Sequence, residues 1–294
     1  MRYIIVTILS ALCFLTSCST EGGKDIFDVP HTGYTLFEAD FEAVDMEGQK
    51  SDFVWNKDLT IGVFGQEGGI NEKYALKNAF DGKAAGEFYG PVVSGSTIMA
   101  YYPYSDQVSL YDGNLPYDLP PYQSYDSDQT TFGHFCTYAG FAYAFAENDN
   151  KLTFRYASGL LSVEIAFVET VTVTEIELVS NVACIAGTGK VQTDMSVVFG
   201  ASGAKTIRLD LGEGLASEID NKRTQYPVVL SAGAYENITL IVKTKEKGNI
   251  TCELDPFEVE RISAGNYQVT ELVVSTGALG GFEIEGGLEF EPQR

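Results

Sequence analysis

The chain spaces its apolar residues at helical intervals almost nowhere. Instead, runs of four to ten residues rich in Val, Ile, Thr, Tyr and Phe alternate with Gly, Asn, Asp and Pro. Examples are Thr97–Ser105 ("TIMAYYPYS"), Leu160–Val168 ("LLSVEIAFV"), Val171–Ser180 ("VTVTEIELVS"), Lys205–Leu211 ("KTIRLDL"), Glu236–Thr244 ("ENITLIVKT") and Asn266–Val274 ("NYQVTELVV"). β-Branched and aromatic side chains suit a pleated surface, and turn residues at this spacing mark antiparallel sheets with one buried face. The reading is an all-β chain built of β-sandwiches. The best helical candidate, Asn71–Phe80 ("NEKYALKNAF"), amounts to about two to three turns.

The chain begins "MRYIIVTILSALCFLTSC", with one charge at Arg2 and an apolar stretch, Tyr3–Leu15, too short to span a bilayer. Small residues then lead to Cys18. This layout resembles a bacterial lipoprotein signal: residues 1–17 are expected to be removed and Cys18 to carry lipid, tethering the chain to a membrane surface through residues 18–33. Ser19, rather than an aspartate, follows the cysteine, as in lipoproteins sent on to the outer membrane. What remains is long enough for two cores. The polar stretch Glu147–Lys151 offers a boundary, giving domains over 34–147 and 148–294. Residues 106–135, with three prolines in "LPYDLPPYQSYDSDQTTF", read as polyproline-like loop.

Nineteen Lys and Arg oppose 41 Asp and Glu, for a formal charge of −22. Such a surface repels phosphate backbones, so no nucleic-acid partner is expected. Nor is an enzyme, a cofactor or a metal. His31 and His134 are isolated, and HExxH and GxSxG are absent. "GTGK" at Gly187–Lys190 resembles a phosphate loop, but Cys184 stands where that motif needs its first glycine and Val191 where it needs Ser or Thr. A hairpin turn is expected there instead. "YDSDQTTF" and "ENDNK" cluster oxygen ligands without the glycine and late glutamate of a calcium loop. Cys184 and Cys252 fall in the same half and can either pair or remain as buried thiols.

Tyr101, Tyr102, Tyr104, Tyr111, Tyr117, Tyr122 and Tyr125 crowd into residues 101–125. They can form strand and loop packing, or a platform for glycan or a partner protein with Tyr117, Tyr122 and Tyr125 as its face. The two ends of the chain are alike. In "TLFEADFEA" (Thr35–Ala43), Phe37, Ala39 and Phe41 point one way and Glu38, Asp40 and Glu42 the other, the pattern of a half-buried strand. "GFEIEGGLEFE" (Gly281–Glu291) repeats it, with Phe282, Ile284, Leu288 and Phe290 against Glu283, Glu285, Glu289 and Glu291. Gly286-Gly287 allows a bend between its two pieces.

Taken in order, "FEADFEA", "KSDFVWNKDLTIGVFG", "MAYYPYS", "LPPYQSY", "KLTFRYASGLLSVEI", "IAGTGKV" and "YPVVLSAGAYENITLIV" resemble the fimbrillin family of Bacteroidetes, the FimA/Mfa-like lipoprotein pilins and adhesins. The resemblance implies two tandem transthyretin-like (Greek-key) β-sandwich domains and export as an outer-membrane lipoprotein. It also implies proteolytic release of the first strand, whose groove is then filled by the C-terminal strand of another fimbrial subunit. The cut maps to Lys50-Ser51, where relatives commonly carry Arg-Thr; no arginine lies between Arg2 and Arg155. The donor strand maps to residues 281–291. An uncleaved outer-membrane lipoprotein that binds a host or bacterial surface protein, or a glycan, is the alternative.

Overall fold

Period-two alternation at Thr35–Ala43 decides how the first sheet closes. The computed structural model describes residues 33–42, 54–65, 69–125, 131–167, 170–216, 224–261, 269–276 and 282–283. Its first half holds β1 (Tyr34–Phe41), β2 (Thr60–Gly65), β3 (Glu72–Leu76), β4 (Gly86–Pro91), β5 (Thr97–Tyr102), β6 (Leu115–Leu119), β7 (Tyr122–Ser124), helix α1 (Thr131–Tyr138), β8 (Ala142–Glu147) and β9 (Lys151–Tyr156). The second half holds β10 (Ser158–Ala166), β11 (Thr172–Ser180), β12 (Gly187–Val191), β13 (Val197–Phe199), β14 (Thr206–Ala216) and β15 (Thr224–Ser231). There follow β16 (Gly233–Tyr235), β17 (Ile238–Thr244), β18 (Gly248–Leu254), β19 (Phe257–Val259), β20 (Val269–Thr276) and β21 (Phe282–Glu283).

Seven strands in the order β1-β4-β3-β2-β5-β8-β9 form a closed barrel. Every pairing in it is antiparallel except the last, where β1 lies parallel to β9 with Glu38 opposite Lys151 and Phe41 opposite Phe154. The barrel interior sets large rings against small side chains. Phe37, Phe41, Trp55, Tyr74, Phe88 and Phe154 fill it, while Ala39, Ala100, Ala142, Ala144 and Ala146 leave them room. Gly86 belongs to the same fitting: a Cβ there would stand 2.6 Å from Leu76 and 3.0 Å from the Trp55 indole.

The chain passes from β9 to β10 through one buried residue, Ala157, whose carbonyl accepts the Ala232 amide at 2.8 Å. A sheet of order β15-β10-β20-β21 and another of order β18-β17-β11-β14-β7 then contribute to one core. β10 is antiparallel to β15 and parallel to β20. Leu160 and Leu161 are adjacent and both buried, as are Val228 and Val229 opposite them. Both faces of this pair are therefore covered, which accounts for continuous rather than alternating apolar runs. Phe64, Met99, Tyr101 and Tyr143 turn outward from the barrel strands into this second core and meet Leu115, Tyr117 and Leu119.

Several expectations are corrected. Asn71–Phe80 is not a helix: β3 takes its centre, with Tyr74 and Leu76 buried, and a single 3-10 turn follows at Asn78–Phe80. The proline-containing segment is not loop throughout, since β6 pairs with β12 and β7 runs parallel to β14. "GTGK" is not a hairpin turn; it lies in β12, between β6 and β13. Of the two readings open for Cys184 and Cys252, the unpaired one holds: both are free thiols. The polar stretch at 147–151 is the turn joining β8 to β9 inside the barrel, with Asn148 in the left-handed region at φ 52°.

Candidate functional site

β1 is the element whose sequence, packing and position in the chain converge. Its inward residues are buried: Phe37 is 1% exposed, Ala39 2% and Phe41 7%. Phe37 meets the Tyr74 ring at 5.5 Å between centroids. Phe41 sits in an aromatic cage, with centroids at 5.3 Å to Trp55, 5.7 Å to Phe154, 5.9 Å to Tyr102 and 6.3 Å to Tyr156. Burial of the two phenylalanines stabilises the strand by about 3–6 kcal/mol.

The backbone of β1 is engaged on both sides. Six residue pairs join it to β4. Toward β9, the Glu38 amide donates to the Asn150 carbonyl at 2.8 Å and the Glu42 amide to the Phe154 carbonyl at 2.9 Å. The fully buried Trp55 indole donates to the Ala39 carbonyl at 3.1 Å. Loss of β1 would therefore leave two strand edges and an aromatic cavity open, a state that strongly favours any strand able to fill it.

Outside the barrel, the acids of β1 meet cations of β9. Lys151 Nζ lies 3.0 Å from Asp40 Oδ2, and Arg155 Nε lies 2.9 Å from Glu42 Oε2. The hydrogen bond that Lys151 donates to the Asp40 carboxylate raises its ammonium above the ordinary pKa. Neither cation belongs to a motif that marks it in the sequence. The available signal was their spacing: residues 151 and 155 lie on one face of a strand, as do 38, 40 and 42.

The tyrosines do not share a face. Tyr117 is 1% exposed, and its hydroxyl lies 2.7 Å from that of Ser158. Burial raises its pKa. Tyr122 is exposed at 66% and lies against Arg208, 5.4 Å from ring centroid to guanidinium. Arg208 in turn stands 2.7 Å from Glu177, as Lys243 does at 2.8 Å. Burial opposes ionisation of Glu177, yet Lys243 and Arg208 hold its carboxyl below the usual range. Tyr125 is partly buried against the second core. A platform built of all three tyrosines is therefore absent.

Phe282 lies in β21, which pairs with the end of β20. Cys18, Lys50, Ser51, Ile284, Leu288 and Phe290 lie outside the described residues. Among the described residues no group of three or more His, Cys, Asp or Glu is placed to hold a metal ion. No described helix is long and apolar enough to cross a membrane.

No family model matches the sequence, and no curated protein matches it. Solved structures do. A candidate cell adhesion protein from Bacteroides ovatus superposes with a TM-score of 0.50 at 15% identity, over 85% of this chain and 95% of that one. A candidate cell adhesion protein from Bacteroides uniformis matches at 16% identity and a TM-score of 0.44, over 87% and 98% of the two chains. The tip fimbrial protein Mfa3 from Porphyromonas gingivalis, truncated at its C-terminus, matches at 11% identity and a TM-score of 0.39, over 83% and 94%. These structural neighbours are cell adhesion and fimbrial proteins of Bacteroidetes. The likeness is one of fold.

Proposed function

We propose that this chain is a structural or adhesive fimbrial subunit that works at the cell surface by exchanging its first strand. Export as an outer-membrane lipoprotein through Cys18 anchors it. Cleavage between Lys50 and Ser51 frees β1, and the segment carrying Phe282, Ile284, Leu288 and Phe290 from a neighbouring subunit takes its place. The barrel and the second core are read as tandem domains of the transthyretin-like kind, meeting near Ala157. The single observation behind this reading is the position of β1. It is the first strand of the described chain, yet it closes the barrel through a parallel ladder and fills its interior with Phe37 and Phe41. A strand that closes a sheet and precedes all its other strands can be cut away without breaking the connections among them, and its vacated slot is a β-augmentation site. The fold shared with the Bacteroides ovatus adhesion protein supports the same reading.

Binding of glycan or host protein through Tyr117, Tyr122 and Tyr125 has less support, because Tyr117 is buried. The test is a chain with a site-specific protease sequence placed after Lys50. Cutting it is expected to convert monomers into fibres seen by light scattering and electron microscopy. The same chain lacking residues 281–294 is expected to remain monomeric after cutting. A cut chain that stays monomeric, or a tail-deleted chain that still polymerises, overturns the proposal.

A further inference from the structure

The charges flanking β1 suggest what selects its replacement. Lys151 and Arg155 stand on the outer face of β9, 3.0 Å from Asp40 and 2.9 Å from Glu42. Between those two acids, Phe41 enters the cage of Trp55, Tyr102, Phe154 and Tyr156. The site thus reads one tripeptide: acid outward, phenylalanine inward, acid outward. Release of β1 leaves two cations without their acids on an open strand edge. The chain contains 18 phenylalanines, and only two lie directly between acids: Phe41 and Phe290, in Glu289-Phe290-Glu291. The tripeptide is symmetric about Phe290, so it presents the same pattern whichever way the strand runs. Glu289 is one methylene longer than Asp40. The outer face of β9 also borders a groove of about 260 Å³ lined by Asp149, Lys151, Thr153, Arg155, Thr193 and Met195.

We infer that Lys151 and Arg155 are specificity-determining residues that admit a second copy of this chain by its Glu289-Phe290-Glu291. The inference rests on the strand-exchange reading above and narrows it to one register and one occupant. The other acidic piece, Glu283-Ile284-Glu285, would put an isoleucine into a cage built for a phenyl ring. Charge complementarity of this kind discriminates between strands more than it tightens any one of them.

A charge swap in the cleavable full-length chain tests this. K151E/R155E is expected to lower assembly after cutting by about tenfold at low salt, with the difference shrinking as salt rises, because both pairs are partly exposed. Adding E289K/E291K is expected to restore assembly, whereas adding E283K/E285K is not. The uncut K151E/R155E chain, compared with K151E/R155E/D40K/E42K by thermal melting, establishes that the variant folds. Should cut wild-type protein fail to assemble, the strand-exchange reading itself falls. Should wild-type assemble while K151E/R155E matches it, or E283K/E285K give the rescue, strand exchange stands and this inference is wrong.

Discussion

Replacing Phe41 with alanine tests how much the first strand contributes to its barrel. The ring is 7% exposed and lies 5.3–6.3 Å from the rings of Trp55, Tyr102, Phe154 and Tyr156. Its transfer from water accounts for about 1.5–3 kcal/mol. The cavity left among rings braced by the barrel wall brings the loss to about 3–4 kcal/mol, within the usual range for buried Phe→Ala. Trp55 is the only tryptophan and lies against Phe41, so its emission reports this core directly. In guanidinium unfolding followed at Trp55, a loss of that size moves the midpoint down by roughly 0.5–1.5 M. Glu38→Ala is the reference, since Glu38 is exposed on the same strand and its loss is expected to stay within about 0.5 kcal/mol. If Phe41→Ala shifts the midpoint no further than Glu38→Ala does, β1 is not seated as described, and the reasoning fails.

Three further outcomes follow from buried groups. Gln123, 1% exposed, donates to the Val229 carbonyl at 2.8 Å and accepts the Val229 amide at 2.9 Å. Gln123→Ala is expected to cost about 2–4 kcal/mol by leaving both groups unpaired, and to raise hydrogen exchange at Val229. Gly159→Ala places a Cβ 2.0 Å from the Glu260 carbonyl oxygen, so thermal melting should show a loss of about 1–3 kcal/mol or more. Burial lowers the pKa of His134, whose ring lies 5.0 Å from that of Tyr138 and 6.5 Å from that of Tyr125. The unfolded chain therefore takes up the proton first as pH drops below about 6.5, and stability declines from there toward the lower folded value. Denaturant titrations of wild type and His134→Phe should show the wild type losing ground to the variant across that interval as pH falls.

Much of β1 was legible because alternation with period two survives any register of pairing. Phe37, Ala39 and Phe41 can be assigned to one face before any partner strand is known. β6 and β7 were hidden by Pro116, Pro120 and Pro121, which argue against a central strand. The structure accommodates Pro116 because β6 is the edge of its three-stranded sheet, where a missing N–H costs nothing in the ladder. The segment "NEKYAL" contains good helix formers, yet the two residues that decide its state, Tyr74 and Leu76, are drawn inward by the barrel. "ENDNK" looked like a connector between domains because a left-handed Asn in a hairpin turn has the same polar signature as a linker. The pairs Asp40–Lys151 and Glu42–Arg155 depend on β1 and β9 lying parallel in one register, a long-range fact that no local pattern contains.

The most direct measurement is Trp55 emission during strand release and refilling. Its indole is 0% exposed, donates to the Ala39 carbonyl and touches Phe41, so it senses whichever strand lies in the slot. Cutting after Lys50 and removing the freed β1 should shift the emission to the red. Adding a peptide spanning Gly286–Arg294 should return it to the blue, and the same peptide carrying E289K/E291K should not. Emission that ignores the loss of β1, or that recovers equally with both peptides, contradicts a strand slot read through its acids and its phenylalanine.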